Sequence, residues 1–106
     1  KDFGKLLENQ VFLELLKQCE NVFFFKNKRE CDFLVAQDGT INKAIQVCYD
    51  VSEPDTLKRE VEGLKYAMKE AGLKIGWILT MDEEKQVVED GLVINIVPAY
   101  KYFLEN

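Results

Sequence analysis

The sequence predicts one α/β domain in which helices cover a mixed β-sheet. Three observations predict this fold class. Segments with helical spacing alternate with short apolar segments, two Asp-Gly pairs mark tight hairpin turns, and one helix of crossover length joins two strands. The 106 residues suffice for one hydrophobic core and are too few for two. We therefore expect a single domain over residues 1–106.

The first half of the chain predicts a helix and three antiparallel strands. Apolar residues recur at helical spacing from Phe3 to Cys19, which indicates an amphipathic helix. A short aromatic strand is expected at Val22–Phe25. Two further strands, Cys31–Ala36 and Ile41–Tyr49, are joined by Asp38-Gly39, a strong signal for a two-residue hairpin turn.

The middle of the chain predicts a second helix and a buried strand. Ser52 is expected to cap the helix, with a proline in its first turn. One apolar stripe follows, made of Leu57, Val61, Leu64, Met68 and Ala71. Gly72 is expected to end the helix. Ile75–Leu79 is apolar on both faces, so we expect a strand parallel to the one before the helix.

The C-terminal part predicts a hairpin and a short helix appended to this core. The strands are Gln86–Glu89 and Leu92–Val97, joined by Asp90-Gly91. An aromatic helix over Pro98–Leu104 completes the chain. Its aromatic side chains are expected to pack at the terminus, or to meet a neighbouring domain.

Composition excludes several kinds of chemistry. The three cysteines are widely spaced and no histidine is present, which predicts no zinc site and no Ser/His or Cys/His nucleophile pair. A formal net charge of -5 argues against sequence-independent attraction to nucleic acid. No apolar segment has membrane-spanning length and no signal peptide is evident, so we expect a cytoplasmic protein without a membrane partner.

Carboxylates and their neighbours are then the candidates for chemistry. Glu8 lies in the middle of the apolar stripe of the first helix, where a carboxylate needs a partner. Asp32 interrupts an apolar strand, and Gln46 and Cys48 share one face of the next strand. Because the Asp38-Gly39 turn makes these strands neighbours, Asp32, Gln46 and Cys48 can converge.

Four segments carry a resemblance to a known family: Leu6–Asn9, Glu30–Val35, Ile45–Asp50 and Val97–Tyr100. The sequence resembles the PD-(D/E)XK, or restriction-endonuclease-like, domain. More narrowly, it is similar to the domain at the C-terminus of archaeal and bacterial P-loop ATPases of the AAA type. The resemblance implies an αβββαβ core, an N-terminal ATPase domain in the same polypeptide that alone would bind ATP, and DNA as a candidate partner.

The resemblance also implies roles for particular residues. In active members a helix glutamate, a strand aspartate and the acid of an acid-x-lysine pair bind magnesium, and the lysine helps to orient the water and stabilise charge. These roles fall on Glu8, Asp32, Gln46 and Cys48. Magnesium prefers such hard oxygen ligands and lowers the pKa of bound water. Gln46 retains a ligating oxygen without the charge, whereas Cys48 replaces the lysine outright.

Three functions follow from this pattern. We expect an accessory domain with impaired catalysis, because the acid-x-lysine pair is Gln-Val-Cys. A magnesium-dependent DNA nuclease is the alternative, with a replacement lysine from Lys65 or Lys28. A protein- or nucleic-acid-binding module is the third. Glu8 and Asp32 can also be satisfied by ordinary hydrogen bonds, an interpretation that we favour slightly over the active nuclease.

Overall fold

A computed structural model of the chain describes residues 2–18, 21–26 and 31–105. The elements within these ranges follow the predicted order of helix, three strands, helix, strand, hairpin and helix. They are α1 (Phe3–Gln18), β1 (Asn21–Lys26), β2 (Cys31–Gln37), β3 (Thr40–Val47), α2 (Pro54–Ala71), β4 (Ile75–Thr80), β5 (Lys85–Glu89), β6 (Leu92–Pro98) and α3 (Ala99–Glu105).

The six strands form one mixed sheet in the order β1-β2-β3-β4-β6-β5. The first three strands are antiparallel, as expected. Strand β4 runs parallel to β3 with Trp77 opposite Ile45, which confirms the crossover through α2. The C-terminal hairpin extends this same sheet, because β6 pairs in parallel with β4 and β5 pairs with β6 at the edge. The α/β fold class is confirmed.

Both Asp-Gly pairs form the turns that the sequence predicts. Asp38 and Gly39 have φ of 54° and 78°, and Asp90 and Gly91 have φ of 54° and 75°. Two consecutive left-handed residues define the type I′ turn, whose twist matches that of the flanking strands. Aspartate and glycine adopt left-handed backbone conformations more easily than most residues do. This explains why the Asp-Gly pairs predict the two hairpins.

Helices cover both faces of the sheet and divide the core into two. Helix α2 packs on one face through apolar residues that include Leu64 and Met68, which meet Ala44, Ile78 and Ile94.

The other face is covered by α1 and α3. The buried residues of α1 are Leu7, Val11 and Leu15, and this face also holds Ile45 and Leu79. Alternation along β3 therefore sends Ala44 to α2 and Ile45 to α1. No helix of the described ranges is long and apolar enough to cross a membrane, and a cytoplasmic location stays a prediction.

Several expected boundaries were wrong by one or two residues. Strand β3 ends at Val47 rather than Tyr49, although the Cys48 amide still donates to the Leu79 carbonyl at 3.0 Å. The N-cap of α2 is Glu53, not Ser52, because the Ser52 amide donates to the Asp50 carboxylate at 2.8 Å in the preceding turn.

The start of α3 was also misplaced. Pro98 is the last residue of β6, opposite Thr80, and the helix begins at Ala99. The expected end of α2 is confirmed, since Gly72 has φ of 73° and the Leu73 amide donates to the Met68 carbonyl at 2.8 Å.

Candidate functional site

Gln46 lies at the centre of the sheet beneath α2. Strand β3 pairs with β2 on one side and with β4 on the other, where Ile78 lies opposite Gln46. The side chain is on the same face as Ala44 and is only 1% exposed. A buried amide in such a position requires hydrogen-bond partners, because burial without them costs about 1–3 kcal/mol.

Glu60 of α2 supplies one of these partners. The Nε2 of Gln46 donates to the Oε1 of Glu60 at 2.8 Å, and Glu60 is only 4% exposed. The guanidinium of Arg59 lies 3.7 Å from the other carboxylate oxygen. The Oε1 of Gln46, by contrast, is buried without a hydrogen-bond partner. The pair thus joins a strand to its covering helix and leaves one hard oxygen unsatisfied.

Glu60 was missed in the sequence, although a signal for it was present. It lies three residues after Leu57 and four before Leu64, so helical spacing places it within the buried stripe of α2. A carboxylate at such a position indicates a polar partner on the opposing strand. Gln46 is that partner.

Cys48 occupies the position where the family resemblance requires a lysine. Its side chain is partly buried and packs against the core beneath α2. The thiol donates to the carbonyl of Asp50 at 3.5 Å. A thiol cannot supply the fixed positive charge that a lysine brings to a phosphodiester.

Glu8 lies on the other side of the sheet from Gln46. Helix α1 packs on the face of Ile45, and Glu8 is half-buried on that helix. The structure therefore does not bring the side chains of Glu8 and Gln46 together. Asp32 lies in β2 opposite Phe25, but its side chain falls outside the described structure. The metal-binding roles of Glu8, Asp32 and Gln46 stay predictions.

Lys65 is buried, but it serves another part of the fold. Its Nζ donates to the Asp90 carboxylate at 2.7 Å and to that of Glu89 at 3.1 Å, with Glu62 3.6 Å away. Hydrogen bonds to Asp90 and Glu89 raise the pKa of Lys65 and outweigh its desolvation. The ammonium thus ties α2 to the β5–β6 turn. The structure does not bring it to Cys48.

Strand spacing shows how far apart these two regions are. Two strand spacings of about 4.8 Å each separate β3 from β6 and three separate it from β5, so the hairpin that holds Lys65 lies roughly 10–14 Å across the sheet from β3. Lys28, the other candidate for a replacement lysine, lies outside the described residues.

The described side chains do not by themselves fit a magnesium site. In the described structure, no three side chains of Asp, Glu, Cys or His lie close enough together to hold a metal ion. Gln46 and Glu60 offer oxygens at one place, whereas the site that the resemblance implies needs a further carboxylate. We therefore derive no catalytic step through a metal.

Known proteins give the family of this chain. A search of solved structures finds no match. The chain is 39% identical to the uncharacterized protein MJ1544 of Methanocaldococcus jannaschii, in an alignment that covers 98% of this chain and 25% of that protein. It thus spans about a quarter of the length of that relative. The model of the domain of unknown function DUF4143 matches residues 3–102, and the chain belongs to this family.

Proposed function

We propose that this chain is a nuclease-like accessory domain of an AAA-type ATPase, with impaired catalysis. Membership of the DUF4143 family supports this, because such domains commonly accompany ATPase domains. The relative from Methanocaldococcus jannaschii is about four times as long as the aligned region, which leaves room for a further domain. The order of elements is compatible with the restriction-endonuclease-like αβββαβ core that the family resemblance implies.

The hydrogen bond between Gln46 and Glu60 carries the argument for impaired catalysis. At the position where an active member of the resembled family presents a metal-binding carboxylate, this chain has an amide bonded to the covering helix. Both residues are closed off from solvent, at 1% and 4% exposure. Cys48 supplies no cation two residues further on, and Lys65 is held by the distant hairpin. This arrangement is suited to stabilising the fold and lacks the groups that cleavage of a phosphodiester requires.

Cleavage assays test the catalytic part of the proposal. Purified protein is incubated with supercoiled plasmid and with single-stranded DNA, in magnesium and then in manganese. We expect no cleavage above that of a Gln46→Leu variant, which removes a candidate ligand at the centre of the sheet. Metal-dependent cleavage that is lost in Gln46→Leu and kept in Glu70→Gln, an exposed site on the same helix as Glu60, would overturn it.

The ATPase part needs the whole polypeptide. We expect the full gene product to hydrolyse ATP and to change its rate, or the stimulation of that rate by a ligand, when residues 1–106 are deleted. A full gene product without a P-loop ATPase domain would contradict this part and leave the cleavage result standing.

A magnesium-dependent DNA nuclease is the second candidate, and one observation favours it. The unpartnered Oε1 of Gln46 is a hard oxygen next to a buried carboxylate, and Asp32 in β2 is the residue expected to add another. Calorimetric titration with magnesium and manganese tests it in Gln46→Leu, Glu60→Gln and Asp32→Asn. Saturable binding that all three variants lose supports the nuclease, whereas no binding to the unmodified chain excludes it.

A further inference from the structure

An apolar groove lies between α1 and α3, on the sheet face opposite the Gln46–Glu60 pair. Its volume is about 390 Å³. Leu13 of α1 and Tyr100 and Phe103 of α3 form its walls, and Met81 lies at the end of β4. The inner wall is the buried residue Val11. The groove is therefore a depression above the second core rather than part of it.

The side chains around the groove are more exposed than packing within the chain requires. Leu13 is 57% exposed, Met81 49% and Tyr100 65%. Leu104, one turn after Tyr100, is 82% exposed. Single exposed leucines are ordinary on protein surfaces, but apolar side chains collected around one depression mark an interaction site.

The charges of the groove indicate the chemistry of its occupant. The two charged residues that line it, Glu14 and Lys17, pair with each other at 3.3 Å. Within the described structure the groove thus presents no excess of positive charge, and the whole chain is acidic, at -5. A phosphate backbone would gain little here, whereas an apolar protein surface would bury the exposed side chains.

We propose that this groove is where the domain docks on an apolar surface of the ATPase domain in the same polypeptide. The inference rests on the proposed function, and it adds which face of the domain makes the contact. The relative of this chain supplies about three times its length in further sequence, so that a tethered partner is available at high local concentration. On the α1–α3 face the side chains of Leu13 and Tyr100 stay exposed beside the groove, so this contact would bury them.

Radical footprinting tests the contact in the full polypeptide. Hydroxyl radicals oxidise exposed methionine and tyrosine, so Met81 and Tyr100 report on the groove itself. We expect both to be oxidised several-fold more slowly in the full polypeptide than in the 106-residue chain. Tyr66, which is 50% exposed on α2, serves as the internal control and should react equally in both. Equal oxidation of Met81 and Tyr100 in the two proteins overturns the inference.

Two matched variants assign the protection to the groove. Leu13→Glu places a carboxylate in the proposed contact, and Leu16→Glu places one on the same helix at 50% exposure but outside the groove. Leu13→Glu should restore rapid oxidation of Met81 and Tyr100 in the full polypeptide, and Leu16→Glu should not. Because both leucines are exposed, both variants should fold, and circular dichroism checks this. Equal effects of the two overturn the assignment.

The outcomes separate this inference from the proposed function. If the full gene product has no ATPase domain, both the inference and the ATPase part of the proposed function are wrong. If an ATPase domain is present but Met81 and Tyr100 are not protected from oxidation, only the inference is wrong. If the 106-residue chain is itself a dimer in sedimentation, and Leu13→Glu makes it monomeric, a second copy occupies the groove and the inference is wrong.

Discussion

The two faces of the sheet differ in how they bury polar groups. Beneath α2 the Nε2 of Gln46 donates to the Oε1 of the buried Glu60 at 2.8 Å. On the α1–α3 face the described core residues are apolar apart from the hydroxyl of Tyr102, and apolar side chains such as Leu13 are left exposed around a groove. Gln46 and Cys48, two of the four residues that resemble a nuclease site, therefore lie on the closed face beneath α2, while the surface suited to a partner is on the other. These two residues and the exposed apolar groove thus lie on different faces of the sheet.

The largest expected effect comes from breaking the buried polar pair. Gln46→Leu or Glu60→Leu should each lower the free energy of unfolding by about 3 kcal/mol, because each removes one side of a buried hydrogen bond to a carboxylate. The loss of unfolding free energy in the double variant should be smaller than the sum of the two single losses by at least about 1 kcal/mol. Urea unfolding of the four proteins measures this.

Glu70→Leu is the matched control for that cycle, since Glu70 is exposed on the same helix, and it should change stability by less than about 0.5 kcal/mol. Independent, fully additive effects of Gln46→Leu and Glu60→Leu would show that the pair is not coupled. A metal that binds the folded state raises the midpoint of thermal unfolding. Since we expect no magnesium site, added magnesium should leave this midpoint unchanged.

The close packing of α2 on β4 should give the next largest effect. A Cβ at Gly76 would lie 2.5 Å from the sulfur of Met68 and 3.1 Å from a methyl group of Leu64. Both of those residues are fully buried, so Gly76→Ala should cost about 2 kcal/mol. A thermal denaturation series with Gly76→Ala and Met68→Ala tests the cause. If the clash is responsible, the double variant should lose less stability than the sum of the losses in the two single variants.

Lys65→Met should have a smaller effect, which depends on pH. The ammonium lowers the pKa of Asp90, so this contribution is present above the usual carboxyl value of 3.8 and disappears as the pH falls through the lower folded-state value. The raised pKa of Lys65 means that its own contribution is present below 10.5 and is lost as the pH rises through the folded-state value.

We therefore expect Lys65→Met to cost about 1 kcal/mol at pH 7, because its carboxylate partners remain partly solvated. The difference from the unmodified chain should shrink at strongly acidic pH, where the carboxylates are neutral. Urea unfolding at several pH values measures it. A difference that stays constant from neutral to strongly acidic pH would assign the effect to packing of the side chain instead.

The smallest effect should be at the groove. Leu13→Ser should change the free energy of unfolding of the 106-residue chain by less than about 0.5 kcal/mol, since the side chain is 57% exposed. Leu15→Ala on the same helix, where the side chain is 1% exposed, should cost about 3 kcal/mol. A large cost of Leu13→Ser would mean that the groove is part of the core rather than a surface for a partner.

Local signals in the sequence predicted most of the architecture. The Asp-Gly pairs fixed both hairpins because few residue pairs accept two left-handed conformations, and the crossover helix made β3 and β4 parallel. The pairing of β6 with β4 was not predicted. It depends on contacts between segments with no local signal in either.

The candidate site was predicted less well. Alternation correctly placed Gln46 and Cys48 on one face, but periodicity alone does not show which face a helix covers. Glu8 was expected to need a buried partner and is only half-buried on the opposite side. Glu60 lies within the buried stripe of α2, and the prediction of that stripe depends only on its apolar members. Its partner became evident when the helix and the strand were brought together.

The position of β6 between β4 and β5 has a consequence for folding. The hairpin of β5 and β6 closes locally through its turn, but β4 has a free edge until β6 docks beside it. That edge is Ile75–Thr80, a segment rich in apolar residues, and such an edge readily pairs with another chain. The outer strand that replaces it carries Lys85, Gln86 and Glu89. We therefore expect the last quarter of the chain to protect this edge from aggregation, and truncation after Thr80 to yield insoluble protein.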